Sequence, residues 1–341
     1  MDKNSKSDEH KIAAELTHLA GSGTISSKYL SLLRHFYEEV RDALAQANRP
    51  LQPFYDQFSQ FLHLIKLQMQ TPYQFEPYHQ KIRKPIDYYR FGLNFIRSLI
   101  DIPHSSVLGL EIAAQIETQM QNGENVILFA NHQTETDPQA ISILLEQTHP
   151  HLAENIIYVA GERVVTDPLA IPFSMGCDLL CIYSKRYIDQ PIELKAKKQI
   201  HNKHTMGRMS RLLKDGGKAI YVAPSGGRDR RNAHGIIEVA LFDPSSIEMF
   251  YLMARKAKTP THFYPLTLAT YELLPPPETI QLELGEARMA KFSPIHLSFS
   301  PEFDMEIFPG SEESDKNTRR KNRALAIWKI VNQEHQKLIA L

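Results

Sequence analysis

Cysteine is scarce in this chain: 341 residues contain only two, Cys177 and Cys181, four apart. That excludes a disulfide framework and makes a reducing compartment the natural setting, with both thiols read as small buried apolar residues on a strand. Long apolar runs are missing as well. No stretch approaches the roughly 18 apolar residues that cross a bilayer, so no transmembrane segment is expected, and the protein at most rests on a membrane surface. The first nine residues are polar and mixed in charge, without the apolar core of a secretory signal or the acid-poor composition of a transit peptide. Net charge is absent too, with 39 Lys and Arg against 39 Asp and Glu. What remains, 42% hydrophobic and 23% charged residues with no internal repeat, is an ordinary globular composition, able to bury a core without a metal.

The overall balance conceals one uneven stretch. Between Lys185 and Arg231 there are 13 Lys and Arg but only four acids, Asp189, Glu193, Asp215 and Asp229. Such an excess points to phosphate or to an acidic protein. Few aromatics interleave it and it fits no reader motif, so nucleic acid is not expected as a partner.

Periodicity divides the chain. Segments 9–19, 27–47 and 53–69 carry apolar residues at three- and four-residue spacing, as in Leu30, Leu33, Phe36, Val40 and Leu44, and predict a small helical bundle over residues 1–72. Thr71-Pro72 closes the third pattern and sets the expected domain boundary. After Asn125 the character changes. Segment 126–130 (Val-Ile-Leu-Phe-Ala) is a continuous apolar run, the mark of a strand covered on both faces, and 156–160, 179–183, 219–223, 263–269 and 280–284 repeat it. Helical patterns at 139–147, 194–214 and 246–256 fall between several of them, and 316–339 closes the chain. Residues 73–341 therefore read as an α/β domain with a mixed, mainly parallel sheet flanked by helices. Pro265 inside the fifth run suggests a bulge or an edge position.

In such sheets ligands bind at the carboxyl ends of strands, so the residues just past each run are the informative ones. The first run is followed by Asn131-His132-Gln133-Thr134-Glu135-Thr136-Asp137-Pro138. A histidine emerging there is available as a general base. Asp137, expected as an N-cap with Pro138 at the first helical position, is placed to orient it. The fourth run leads into Pro224-Ser225-Gly226-Gly227-Arg228-Asp229-Arg230-Arg231, where the glycines permit close backbone approach and the arginine forks suit a phosphate. Ser225 invites a nucleophile reading, but Ala223 stands where a nucleophile elbow needs glycine, and no P-loop pattern occurs. A third strand end, Tyr183-Ser184-Lys185-Arg186-Tyr187, adds two cations. His201 and His204, three apart on a helical pattern, lack an evident third ligand, so no metal is expected.

Together these blocks resemble the soluble, chloroplast-type glycerol-3-phosphate acyltransferases. The resemblance rests on the His-x4-Asp motif from Asn131 to Asp137 and continues through Ala153-Glu154-Asn155, Val159-Ala160-Gly161, Asp167-Pro168, Pro172-Phe173-Ser174, the block ending at Arg230, and Pro275-Pro276-Pro277, spanning roughly residues 75–310. It implies His132 as general base, Asp137 as its partner, and Arg228 and Arg230 as ligands of the substrate phosphate. Two further phosphate positions, Lys-His in the family, read Arg186-Tyr187 here. It also implies acylation of the sn-1 hydroxyl of glycerol-3-phosphate by acyl carrier protein or acyl-CoA, without cofactor or metal. Acyl carrier protein is acidic, and the basic helix 194–214, with Lys197 and Lys198, is its expected docking face. A cytoplasmic location is expected, bacterial ahead of plastid stroma. Three other readings are a lysophosphatidate acyltransferase, a serine hydrolase built on Ser225, and a non-catalytic binder of phosphorylated metabolites.

Overall fold

The structure, a computed structural model, describes residues 3–21, 25–185, 188–277 and 285–341. Arg186, Tyr187 and the strand expected over 280–284 lie outside the described residues. The chain opens with three helices, α1 (Lys3–Gly21), α2 (Ser27–Gln46) and α3 (Gln52–Gln70). Ser26 caps α2 by accepting from the Tyr29 N–H, and Pro53 sits in the first turn of α3, where its missing donor costs nothing. The expected inner stripe of α2 is buried: Leu33, Phe36, Val40 and Leu44. Phe58 of α3 is fully buried, with the rings of Phe36, Tyr37, Phe54, Phe61 and Phe95 around it. This aromatic cluster continues into α4 (Tyr88–Arg97) and reaches Phe173, whose ring lies 5.4 Å from that of Phe61.

An eight-stranded sheet organises the rest. In chain order the strands are β1 (Tyr78–His79), β2 (Ser106–Leu108), β3 (Asn125–Ala130), β4 (Ile156–Gly161), β5 (Asp178–Ile182) and β6 (Ala219–Val222). A separate small hairpin, β7 (Arg230–Arg231) and β8 (Ile237–Glu238), precedes β9 (Thr261–Ala269) and β10 (His296–Phe299). The order across the sheet is β1-β5-β4-β6-β3-β9-β10-β2. The five inner strands from β5 to β9 run parallel, while β1 and β10 pair antiparallel to their inner neighbours. The mixed, mainly parallel sheet is thus as expected, and the apolar run of β3 has a direct cause. Val126, Leu128 and Ala130 enter the core on one face of the sheet, and Ile127 and Phe129 enter the core on the other.

Helices fill both faces. One carries α5 (Leu110–Gln121), α6 (Asp137–Leu145) and α7 (Pro150–Asn155), the other α9 (Lys195–Asp215), α10 (Pro244–Ala257) and α11 (Lys316–Leu338); the single turn α8 (Ile171–Ser174) brings Phe173 to the aromatic cluster. The start of α5 needs Gly109: its φ is +74°, and a Cβ there would come within 2.2 Å of the Phe299 carbonyl oxygen.

Pro265 corrects the expectation of an edge or a bulge. It lies in β9, an interior strand, in register with Phe129 of β3. Its carbonyl accepts from the Ser300 N–H, one residue beyond the end of β10. Because N and C=O of a strand residue point to the same side, the missing donor faces the place where the β10 ladder has already ended.

Candidate functional site

β3 lies between β6 and β9, so the segments leaving all three strands meet at one end of the sheet. Past Ala130, burial alternates: Asn131 and Gln133 are fully buried, while the His132 side chain keeps 30% of its surface exposed. Asp137, 1% exposed, turns its carboxylate back toward that segment. Its Oδ2 accepts from His132 Nδ1 (2.8 Å) and from the Gln133 N–H (2.8 Å). Its Oδ1 accepts from the Thr134 N–H (3.2 Å) and from Thr270 Oγ1 (2.7 Å), the residue following β9. Thr134 Oγ1 (3.3 Å) makes a fifth donor; a carboxylate so surrounded is acceptor-only, so the proton between it and the imidazole sits on Nδ1 and the Nε2 lone pair is left for another partner. Asp137 is the first residue of α6, one position inside the expected N-cap, with Thr136 before it. The reason is that its oxygens serve the residues before the helix; it still gains from the helix dipole.

The segment after β6 closes over the same strand ends. The Asp229 N–H donates to the His132 carbonyl (2.7 Å). The fully buried Asp229 carboxylate accepts from Asn131 Nδ2 (2.8 Å), Gln133 Nε2 (3.2 Å) and the Ala240 N–H (2.9 Å). Burial pushes its pKa up to about 6 in spite of those three donors. On either side of it, Arg228 is paired with Glu286, and Arg230 donates to the Pro277 carbonyl. A narrow crevice lined by Glu135, Arg228, Pro277, Glu286 and Arg288 lies there. Burial opposes ionisation of Glu135, but the Arg288 guanidinium overrides it and holds the carboxyl below its usual range. Arg288 also reaches Asp167, so two carboxylates hold it ionised in a buried position.

His132 is thus bonded to Asp137 through its ring and, through its carbonyl, to Asp229 of the loop that carries Arg228 and Arg230. Lys185 is exposed and ion-paired with Asp243 at the start of α10. Ser225 Oγ donates to the Gly227 carbonyl two residues on (2.9 Å), a local turn contact with no imidazole involved. His201 stacks on Phe75, at 4.4 Å and 6°, and bonds to the Cys181 carbonyl, which makes it a packing residue. Lys198 corrects the expected docking face: it is 6% exposed and bonds to the Gln190 carbonyl, while Lys197, Lys203, Arg211 and Lys214 of α9 are exposed. Both thiols are buried and pushed up to about 12 by desolvation, in keeping with inert packing groups; Cys177 falls just before β5 and Cys181 within it.

Residues that sequence reasoning missed are Asn131, Gln133, Asp229, Thr270, Glu286 and, from the last helix, His335. Asn131 and Gln133 stood beside His132 in the motif, and Asp229 was the one acid inside a basic loop, so each carried a signal. His335 carried none.

The Acyltransferase family model matches residues 111–269, which span β3 to β9 and include His132, Asp137 and the loop bearing Arg228 and Arg230. Over nearly its whole length, the chain is 35% identical across 331 residues to a chloroplastic glycerol-3-phosphate acyltransferase of Arabidopsis thaliana, covering 96% of this chain and 72% of the relative. The chain belongs to the glycerol-3-phosphate acyltransferase family. Two chloroplastic members from Cucurbita moschata agree, at 37% over 301 residues and 36% over 314, covering 87% and 91% of this chain and 65% and 70% of theirs. The chain thus spans between 65% and 72% of the length of these family members. Among the described residues, no helix is long and apolar enough to cross a membrane.

Proposed function

We propose that this protein transfers a fatty acyl group from a thioester to the sn-1 hydroxyl of glycerol-3-phosphate, giving lysophosphatidate. The observation that carries the reading is the hydrogen-bonded His132–Asp137 pair, on a segment bonded through His132 itself to the loop bearing Arg228 and Arg230. His132 Nε2 takes the hydroxyl proton as the oxygen attacks the thioester carbonyl. The tetrahedral intermediate then breaks its C–S bond, and the leaving thiolate recovers the proton from Nε2. Asp137 keeps the imidazole in the tautomer this requires and stabilises the cation between the two steps. General-base help is worth about 10²–10⁴ in rate. The phosphate takes the Arg228 and Arg230 forks, displacing Glu286 and the Pro277 carbonyl, and Arg186 and Tyr187 retain their proposed part there. Aiming the hydroxyl in this way supplies a further rate factor by proximity.

For the donor we propose acyl carrier protein, docked on the outward face of α9 at Lys197, Lys203, Arg211 and Lys214; acyl-CoA is the alternative. Residues 1–72 are proposed to be a helical bundle that supports the site from outside it. An aqueous compartment is proposed, and since the relatives are named chloroplastic, nothing in them favours the bacterial cytoplasm expected from the amino terminus. The Ser225 hydrolase reading loses support because the hydroxyl proton is engaged by Gly227.

The test supplies labelled glycerol-3-phosphate with either donor and identifies the product. Label in 1-acyl lysophosphatidate is expected. Label appearing only when lysophosphatidate is the acceptor would move the reading to the second hydroxyl. No product with either donor would discard the reaction. Reversing charge at Lys197 and Lys203 is expected to raise KM for acyl carrier protein and leave KM for glycerol-3-phosphate unchanged; equal KM values before and after would remove α9 as the docking face.

A further inference from the structure

We propose that Asp229 is a positioning residue which, with Asn131 and Gln133, holds the base His132 in register with the arginines that grip the phosphate; this rests on the reading of the reaction given above. Asp229 contacts the segment after β3 at three consecutive points. Its carboxylate accepts from the Asn131 side chain, its N–H donates to the His132 carbonyl, and the same carboxylate accepts from the Gln133 side chain. It also separates Arg228 from Arg230 in sequence, so the two forks and the base hang from opposite ends of one bridge.

Gln133 anchors that bridge to the rest of the fold. Its Oε1 accepts the backbone N–H groups of Thr270 (2.6 Å) and Tyr271 (3.0 Å), just past the end of β9. The orientation of the amide is thereby fixed, and its NH₂ end faces Asp229 and His335 Nε2 (2.9 Å). Asn131 is tied equally firmly to β9, donating to the Leu268 carbonyl (3.0 Å) and accepting the Leu268 N–H (2.8 Å). Segments following β3, β6 and β9, and helix α11, thus converge on one small buried polar cluster.

Burying a carboxylate among N–H dipoles is costly compared with an apolar side chain of similar size, so this bridge is a poor device for stability alone. It is a good device for geometry, because hydrogen bonds fix distance and direction where apolar contacts tolerate sliding. Geometry is what this reaction needs. Glycerol-3-phosphate is short, and with its phosphate on the arginines, the distance to Nε2 is set by the spacing of the two loops. A misplacement of about 1 Å can cost on the order of 100-fold in rate.

The experiment compares wild type with Asp229→Ala. The Asn131 and Gln133 amides both donate to Oδ2 of Asp229, so an asparagine could keep both bonds through its one oxygen, whereas alanine accepts neither and opens the side-chain bridge. Rate is measured per folded molecule, with folding followed by thermal melting, and glycerol-3-phosphate affinity is measured by calorimetry. We expect kcat to fall about 100-fold while the Kd of glycerol-3-phosphate stays within about threefold, since the guanidinium forks remain on their loop. Gln133→Met, which opens the bridge from the other loop, should give the same split. The double variant should fall no further than the worse single one, within about threefold, because both remove one device. An unchanged kcat in D229A would overturn the proposal. So would parallel losses in kcat and affinity, which mark a merely structural role, or losses that multiply in the double variant. If D229A does not accumulate as folded protein, Q133M is held to the same two criteria of kcat and Kd. Wild type that forms no lysophosphatidate would instead refute the reaction, an outcome separate from all of these.

Discussion

The amino-terminal helices and the strand-end site are held together by opposite means. Around Phe58 pack the rings of Phe36, Tyr37, Phe54, Phe61 and Phe95 within an apolar cluster, and apolar contacts are largely non-directional. Gln133 and Asp137 are held instead by hydrogen bonds to His132, Asp229, Thr270 and His335, and each bond has a direction. The first arrangement supplies stability and tolerates small shifts; the second contributes less net stability per group but keeps reacting groups in place. A substitution in the bundle should therefore alter how much protein is folded, and one in the polar cluster should alter what each folded molecule does.

The sharpest test of that contrast is Asp137→Asn. Whichever way its amide turns, the NH₂ meets either the Gln133 N–H with His132 Nδ1 or the Thr134 and Thr270 donors, so the tautomer with Nε2 free is no longer enforced. We expect kcat to fall by on the order of 10³, approaching the loss that follows when a triad carboxylate becomes an amide. A loss under about tenfold would leave Asp137 a merely structural residue. Phe58→Ala makes the reverse prediction. It should destabilise the protein by about 3–5 kcal/mol in urea unfolding, through lost burial and an unfilled cavity, while kcat per folded molecule stays within about twofold. A large change in kcat would mean that the bundle reaches the chemistry.

The smallest predicted effect concerns pH, where two buried members of the cluster act in opposite senses. Burial lowers the pKa of His335 from 6.5 to about 4 and raises that of Asp229 from 3.8 to about 6. The folded state therefore disfavours protonation of His335, whose contribution is complete above pH 6.5 and is lost as pH falls toward 4. Asp229 does the reverse, contributing below pH 3.8 and losing that contribution as pH rises through 6. His335→Gln keeps an acceptor for Gln133 and removes only the first term. Relative to wild type, it should gain stability on acidification from pH 6.5 to 4, by at most on the order of 3 kcal/mol. A stability difference that stays constant over that range would contradict a neutral, buried His335.

The same contrast explains what could be read from the sequence. Helix α2 and strand β3 were legible because apolar burial leaves a local period, 3.6 along one and an unbroken run along the other. Strands β1 and β2 were not, being two and three residues long, and in β10 His296 and Ser298 interrupt the apolar run that marks the four-residue β6. His132, Asp137, Arg228 and Arg230 could be picked out because each follows a buried strand. The pairing of the residues around them could not, because hydrogen-bond partners leave no periodic trace: Asn131 and Asp229 lie 98 residues apart, and Gln133 and His335 lie 202 apart. Lys198 was misread for a related reason, since a basic helix does not announce which lysine turns inward.

The most direct test of the central claim is His132→Ala, measured for lysophosphatidate formation and for glycerol-3-phosphate affinity in one preparation. A base that acts only in the chemical step predicts a kcat at least about 100-fold lower, with the affinity of the arginine site retained. A variant that keeps kcat within about threefold of wild type would contradict the assignment of His132 as the base.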